Sequence, residues 1–255
     1  MPITVAFTNQ KGGVAKTTTA VNLATALAAS NKRVLVIDFD PQGNAATALG
    51  LREIDIDKCV TIYDVLINQK SIREAILQSL VPGLFYVSSS FNLAGLDHEL
   101  YGSEYPEARL KHIIQSVADD YDFVFIDCPP SLNLLTVNAM VAASEVIIPM
   151  QCEFYALEGL SYLLQMVKKV QQNLNPSLKI EGIVFTMYDA RTNLTSAVVE
   201  DVKQHFKKEI YQTTIPRNIK VAEAPSHGKS VLLYDLKSAG AQAHVELAKE
   251  FLQRH

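Results

Sequence analysis

An α/β fold, with a mostly parallel, twisted sheet and helices on both faces, is what this sequence predicts, on three observations. Short, nearly continuous apolar runs recur at 3–8, 33–38, 121–127, 145–150 and 180–186, with a shorter one at 84–87. Such runs suit parallel strands covered on both faces. Segments of helical spacing lie between them, at 17–29, 61–68, 71–79, 107–118, 132–143, 157–173, 194–208 and 239–253. Alternation of this kind argues a parallel sheet with right-handed crossovers. The 255 residues are 48% hydrophobic and 20% charged, with no low-complexity tract or Pro/Ser-rich linker. One domain spanning 1–255 is therefore expected.

The first run ends at the loop Lys11-Gly12-Gly13-Val14-Ala15-Lys16-Thr17-Thr18, and the first helical pattern starts there. A Gly-rich loop between a strand and a helix is the context that phosphate binding requires. Gly12 and Gly13 let backbone N–H groups turn toward an anion, and the helix N-terminus adds partial positive charge. Lys16 can reach β- and γ-phosphates, and the Thr17 hydroxyl suits one Mg²⁺ position. The usual pattern, G-x-x-x-x-G-K-[ST], would put glycines at positions 10 and 15, where this sequence has Gln10 and Ala15. Ala15 is tolerated if its backbone geometry is open to a Cβ.

The second run, VLVIDFDPQGN, closes on Asp38 and Asp40, and the fourth, FVFID, closes on Asp127. A carboxylate at 127 is placed to hold Mg²⁺, and one at 38 or 40 to orient the attacking water. In parallel sheets ligands sit beyond the carboxyl ends of the strands. All three acids and the loop fall at such ends, so a single shared nucleotide site is expected.

Six ordered motifs carry a resemblance. TNQKGGVAKTTTAVNLATAL resembles the deviant Walker A loop of the ParA/MinD ATPases, whose extra signature lysine is here Lys11. VLVIDFDPQGNAT resembles their switch I, FVFIDCPPSLNLLTVNAM their Walker B segment, and MQCEFYALEGL their switch II. TMYDARTNLTSAVVEDV and IPRNIKVAEAPSHGKSVLLYD resemble two downstream blocks of the ParA/Soj partitioning branch. The match runs from about residue 3 to 251.

The resemblance implies a P-loop ATPase that uses ATP and Mg²⁺ and closes as a sandwich homodimer. Lys11 would reach across to the partner's phosphates and Lys16 would hold its own. A cation supplied in trans stabilises charge on the transferring phosphoryl group as an arginine finger does. Asp40 matches the water-activating aspartate, with Thr17, Asp40 and Asp127 around the metal. Asn44 and Glu153 match switch positions near phosphate and interface, and Pro216 and Asn218 fall where the family cradles adenine. The same likeness implies a slow hydrolase stimulated by a ParB-like partner that carries a short basic segment.

It also implies non-specific double-stranded DNA binding, with Arg191, Arg217, Lys220 and Lys229 as candidates and Lys203, Lys207 and Lys208 extending the patch. Charge agrees: residues 1–159 hold 10 Lys and Arg against 18 Asp and Glu, net −8, whereas 160–255 hold 13 against 9, net +4. A basic part on an acidic protein can take up a polyanion locally. Only eight residues precede Asn9, so no helix-turn-helix is expected ahead of the loop.

The start lacks a signal-peptide pattern and no apolar stretch is long enough to span a bilayer, so a cytoplasmic protein is expected, and the DNA binding that the resemblance implies would associate it with the nucleoid. A MinD-like membrane ATPase is the alternative. Its terminal basic amphipathic helix would have to come from Val245, Ala248, Phe251 and Leu252, where Glu246 and Glu250 balance Lys249 and Arg254. A packed terminal helix is the better reading. Cys59, Cys128 and Cys152 have no CxxC spacing, so neither a metal cluster nor an iron–sulfur reductase is expected.

Overall fold

The computed structural model describes residues 2–50, 59–206 and 209–255. Seven strands form one sheet in the order β3-β4-β2-β5-β1-β6-β7. They are β1 (Ile3–Phe7), β2 (Val34–Asp38), β3 (Ile76–Gln78), β4 (Leu84–Val87), β5 (Phe123–Asp127), β6 (Glu145–Gln151) and β7 (Lys179–Thr186). Every pairing is parallel except that of β3 with β4. The α-helices are α1 (Lys16–Ala29), α2 (Asn44–Ala48), α3 (Ile62–Leu66), α4 (Ile72–Ala75), α5 (Leu96–Glu99), α6 (Arg109–Gln115), α7 (Leu134–Ala142), α8 (Ala156–Asn173), α9 (Asn193–His205), α10 (Ile219–Glu223), α11 (Val231–Tyr234) and α12 (Ala239–Arg254).

The apolar runs are strands buried on both faces, and their side chains sort by the two-residue period of a strand. Leu35, Ile37, Val124 and Ile126 point into a core shared with α6, α7 and α8. Val34, Val36, Phe123 and Phe125 point into the other, with α1, α2 and α12. Phe251 of α12 is fully buried, edge-on to Phe123 at 5.2 Å and to Phe125 at 5.9 Å. Burying one such ring stabilises by about 1.5–3 kcal/mol. The buried stripe of α12 is Ala241, His244, Leu247, Ala248 and Phe251. Val245 and Leu252, expected on that face, are only half-buried.

The segment 71–79 departs from expectation. Ser71 and Glu74 form a capping box that starts α4, yet the helix stops after one turn and Ile76–Gln78 turns into an edge strand. Without β3, the outer backbone edge of β4 would lack a ladder partner. Pairing of the apolar Ile76-Leu77 there, with Ile76 β-branched, outweighs a local helical preference. The short helices α2, α5, α10 and α11 carry four or five residues each, too few to show a periodicity, and were not foreseen.

Register places the site. Asp127 stands level with both Asp38 and Phe7 on the neighbouring strands. The three central strands therefore end together, and the loops that leave them converge.

Candidate functional site

The loop between β1 and α1 is tied down on its outer side. Asn9 donates to the Pro149 carbonyl at 2.9 Å and accepts from the Lys11 amide at 3.0 Å. Thr186 donates to the Val14 carbonyl at 3.0 Å, and Gln151 to the Gly13 carbonyl at 3.1 Å. The loop carbonyls are thus held toward β6 and β7. At the other side, no side chain caps α1 and no acid lies in its first turn. The orphan amide donors of a helix start are free for an anion. Val14 has its side chain buried, so it can serve a ligand only through its amide.

Gly13 has φ +76°, and Ala15 has φ +65° and ψ 35°. Ala15 therefore sits in the left-handed region, not in a geometry open to a Cβ as the sequence reading required. An L-residue there costs about 1–2 kcal/mol, of which glycine's extra freedom in the unfolded chain would offset part. Ala15→Gly should stabilise the nucleotide-free protein by about 0.5–1 kcal/mol in denaturant titration. A loss of stability would show that the strain is absent.

Lys16 is buried, and its ammonium donates to the Lys11 carbonyl at 3.3 Å. Burial pushes its pKa down, against the charges of Asp127 and Asp40. Asp127 is fully buried, and neither carboxylate oxygen has a hydrogen-bond partner among the described residues. Burial raises its pKa to about 7, while the nearby Thr17 hydroxyl and Lys16 ammonium draw it back. A buried, unpartnered carboxylate beside a threonine hydroxyl fits a hydrated Mg²⁺, which prefers oxygen ligands and keeps several waters. This structure thus has the donor set for the metal.

Asp38 and Asp40 separate in role. Asp38 accepts from the Ala45 amide at 2.9 Å and the Asp40 amide at 3.3 Å. Its pKa is raised well above the usual range by burial and by Asp127. It organises switch I. Asp40 instead lines a cavity of 670 Å³, shared with Gly12, Gly13, Ala15, Lys16, Thr17 and Thr18.

The same cavity reaches Asn44, Pro216 and Asn218. Asn44 donates to Gln42 at 3.2 Å, and Asn218 caps α10 by accepting from the Val221 amide at 3.3 Å. The structure therefore brings the loop, switch I and the adenine-side residues to one pocket. Lys11 and Glu153 stand apart from that wall, joined to each other in an exposed ion pair.

The four DNA candidates divide. Arg191 is exposed and paired with Asp189, and Lys220 is paired with Glu223. Arg217 and Lys229 are exposed as well, and both line the rim of the cavity. Arg217 follows Pro216 and Lys229 precedes Ser230, both lining residues, so the chain carries the two cations to the rim. Lys203 lies in the last turn of α9, and Lys207 and Lys208 lie outside the described residues.

Sequence reasoning missed Asn22, Gln42 and Met187, which also line the cavity. Gln42 could have been found in the DPQGN segment. Met187 has φ +48°, and nothing in its residue type announces that.

A family model described as an AAA domain matches residues 3–180. The sporulation initiation inhibitor protein Soj of Bacillus subtilis is 50% identical over 246 residues, covering 96% of this chain and 96% of that protein. The chain belongs to the Soj/ParA family. A second member, the chromosome partitioning protein ParA of Caulobacter vibrioides, is 49% identical over 252 residues, covering 98% of this chain and 94% of its own. Among solved structures, a Mycobacterium smegmatis protein described as cobyrinic acid a,c-diamide synthase, with bound ADP and magnesium, superposes with a TM-score of 0.85. It is 36% identical, and the match covers 99% of this chain and 95% of that one. The Soj/ParA loop and switch I residues of this chain thus line one cavity with Pro130 of the Walker B segment, and Asp127 lies buried beside Lys16 and Thr17.

Proposed function

We propose that this chain, acting as one unit over 1–255, is an ATP-driven positioning switch. ATP assembles a homodimer, the dimer holds double-stranded DNA without regard to sequence, and hydrolysis releases it. The observation that carries this reading is the position of Lys11. The loop has two lysines, but only Lys16 lines the cavity of its own chain. Lys11 lies outside, on the exposed side of the loop, where a second copy can receive it. A site that lacks one cation until two chains meet turns over slowly in the monomer.

The chain is an ATP hydrolase with ATP as substrate and Mg²⁺ as cofactor. In the proposed assignment, the loop amides and Lys16 hold the phosphates, and Pro216 and Asn218 border the base. Thr17, Asp127 and Asp40 would hold the metal, and Mg²⁺ when bound would offset the charge of the triphosphate. Asp40 accepts a proton from the attacking water, and Lys11 of the partner faces the charge that develops. A ParB-like protein with a basic segment completes or tightens this arrangement. The protein works in the cytoplasm, on the nucleoid.

The membrane alternative is less well supported. The apolar stripe of α12 is buried against α1 and the sheet. Among the described residues, no helix is long and apolar enough to cross a membrane.

Fluorescence anisotropy with a random-sequence duplex tests the reading. Binding should appear with ATP, be absent with ADP or without nucleotide, and weaken steeply with salt, because phosphate contacts release counterions. Equal binding in all three states, or none with ATP, would overturn the DNA assignment and leave the ATPase standing.

A further inference from the structure

Two of the four cations assigned to DNA are already occupied. Arg191 turns back on Asp189, two residues before it. Its Nε and one terminal nitrogen donate to the two carboxylate oxygens at 2.8 and 2.6 Å, and its amide adds a third bond at 3.1 Å. That is the forked edge with which a guanidinium grips a phosphate. The guanidinium is otherwise in solvent, with 89% of the side chain exposed. Bonding to Arg191 holds the Asp189 carboxyl down at about 2, so it stays charged at any working pH.

Lys220 is held in the same way. Its ammonium donates to Glu223 at 2.9 Å, and the same oxygen accepts from the Tyr234 hydroxyl at 3.1 Å. The ammonium also lies 5.5 Å from the Tyr234 ring centroid, and His227 stacks on that ring at 4.8 Å. By contrast, neither Arg217 nor Lys229 has an ion pair or side-chain hydrogen bond among the described residues. Arg191 and Lys220 have carboxylate partners, and Arg217 and Lys229, exposed at the cavity rim, have no such ion pair among the described residues.

We propose that Asp189 and Glu223 set the DNA affinity of this chain by competing with DNA phosphate for Arg191 and Lys220. This rests on the DNA-binding reading above and specifies its regulation. A phosphate must displace a carboxylate from each cation, and the displaced carboxylate then faces the polyanion. A single phosphate offers little advantage over the resident partner. A duplex offers an array of phosphates with counterions to release, so it wins, but weakly. In a dimer each pair occurs twice, and the attenuation multiplies across both chains. A positioning switch needs such weak grip, because it must let go when the nucleotide is spent.

The test is duplex anisotropy with ATP, across a salt series, for the wild type, Asp189→Asn, Glu223→Gln and the double variant. Each single change should tighten binding about threefold to tenfold at low salt. The slope of log affinity against log salt should steepen by about 0.9 for each unit of repulsion removed per duplex contact. Asp189→Glu, which keeps the charge, should return affinity toward the wild-type value. Unchanged binding would overturn the proposal, and weaker binding would too, since it would show that the carboxylates preorganise the cations. If Asp189→Asn does not fold, Glu223→Gln alone decides. Wild-type protein that never binds DNA would sink the DNA reading together with this one. Wild-type binding that neutral variants fail to tighten would sink only this one.

Discussion

Lys16→Ala lowers ATP affinity at least about a hundredfold, which calorimetry should register as loss of a measurable binding isotherm. Hydrogen bonds to charged groups contribute about 1.5–3 kcal/mol each, and a lysine spanning two phosphates makes more than one. The structure adds a second reason. Lys16 is the cation whose charge offsets Asp127 and Asp40 in this buried corner. With it gone, an incoming triphosphate would meet uncompensated carboxylates. Only the helix start would then oppose that repulsion, and its partial charge contributes about 0.3–1 kcal/mol when exposed. Unchanged affinity would refute the assignment of the loop as the nucleotide site.

Asp40→Ala leaves ATP binding and dimerisation in place and slows turnover about 10²- to 10⁴-fold, the usual range for losing a positioned acid–base group. Binding survives because little of the local structure depends on this carboxylate. The Asp40 carbonyl still accepts from Ser89 at 2.5 Å, and Asp38 still organises switch I through Ala45. The lost contact within the chain is the bond from the Gln42 amide at 3.0 Å. Gel filtration with ATP and a phosphate-release assay separate the two effects. A variant that no longer dimerises with ATP would show that Asp40 builds the interface. One that still hydrolyses at the wild-type rate would move the proton acceptor elsewhere. Asp38 is a poor substitute, because it is buried away from the cavity wall and spends both oxygens on backbone amides.

Much of this protein was legible in one dimension. Continuous apolar runs such as VLVID and FVFID are required wherever a strand is covered on both faces, so they identified the central strands to within one or two residues at each end. The phosphate loop, Asp127 and the switch I acids were legible for a related reason. Their chemistry needs particular residue types at fixed offsets from strand ends, and such offsets survive in linear order.

What tertiary structure decided is of a different kind. The edge strand Ile76–Gln78 exists because β4 had an unpaired side, which local helix signals at Ser71 and Glu74 cannot report. Residue type and position left Asp38 and Asp40 alike, and only the folded chain shows that Asp40 lines the cavity while Asp38 accepts from backbone amides. The left-handed backbone of Ala15 came from the turn that joins strand to helix, and its residue type argues against it. Arg191 and Lys220 read as free cations in the sequence, yet in the folded chain Asp189 and Glu223 hold them. Residue type and spacing determine which chemistry is available. Which groups are free to perform it depends on packing, because burial and neighbouring charge are properties of three-dimensional contact.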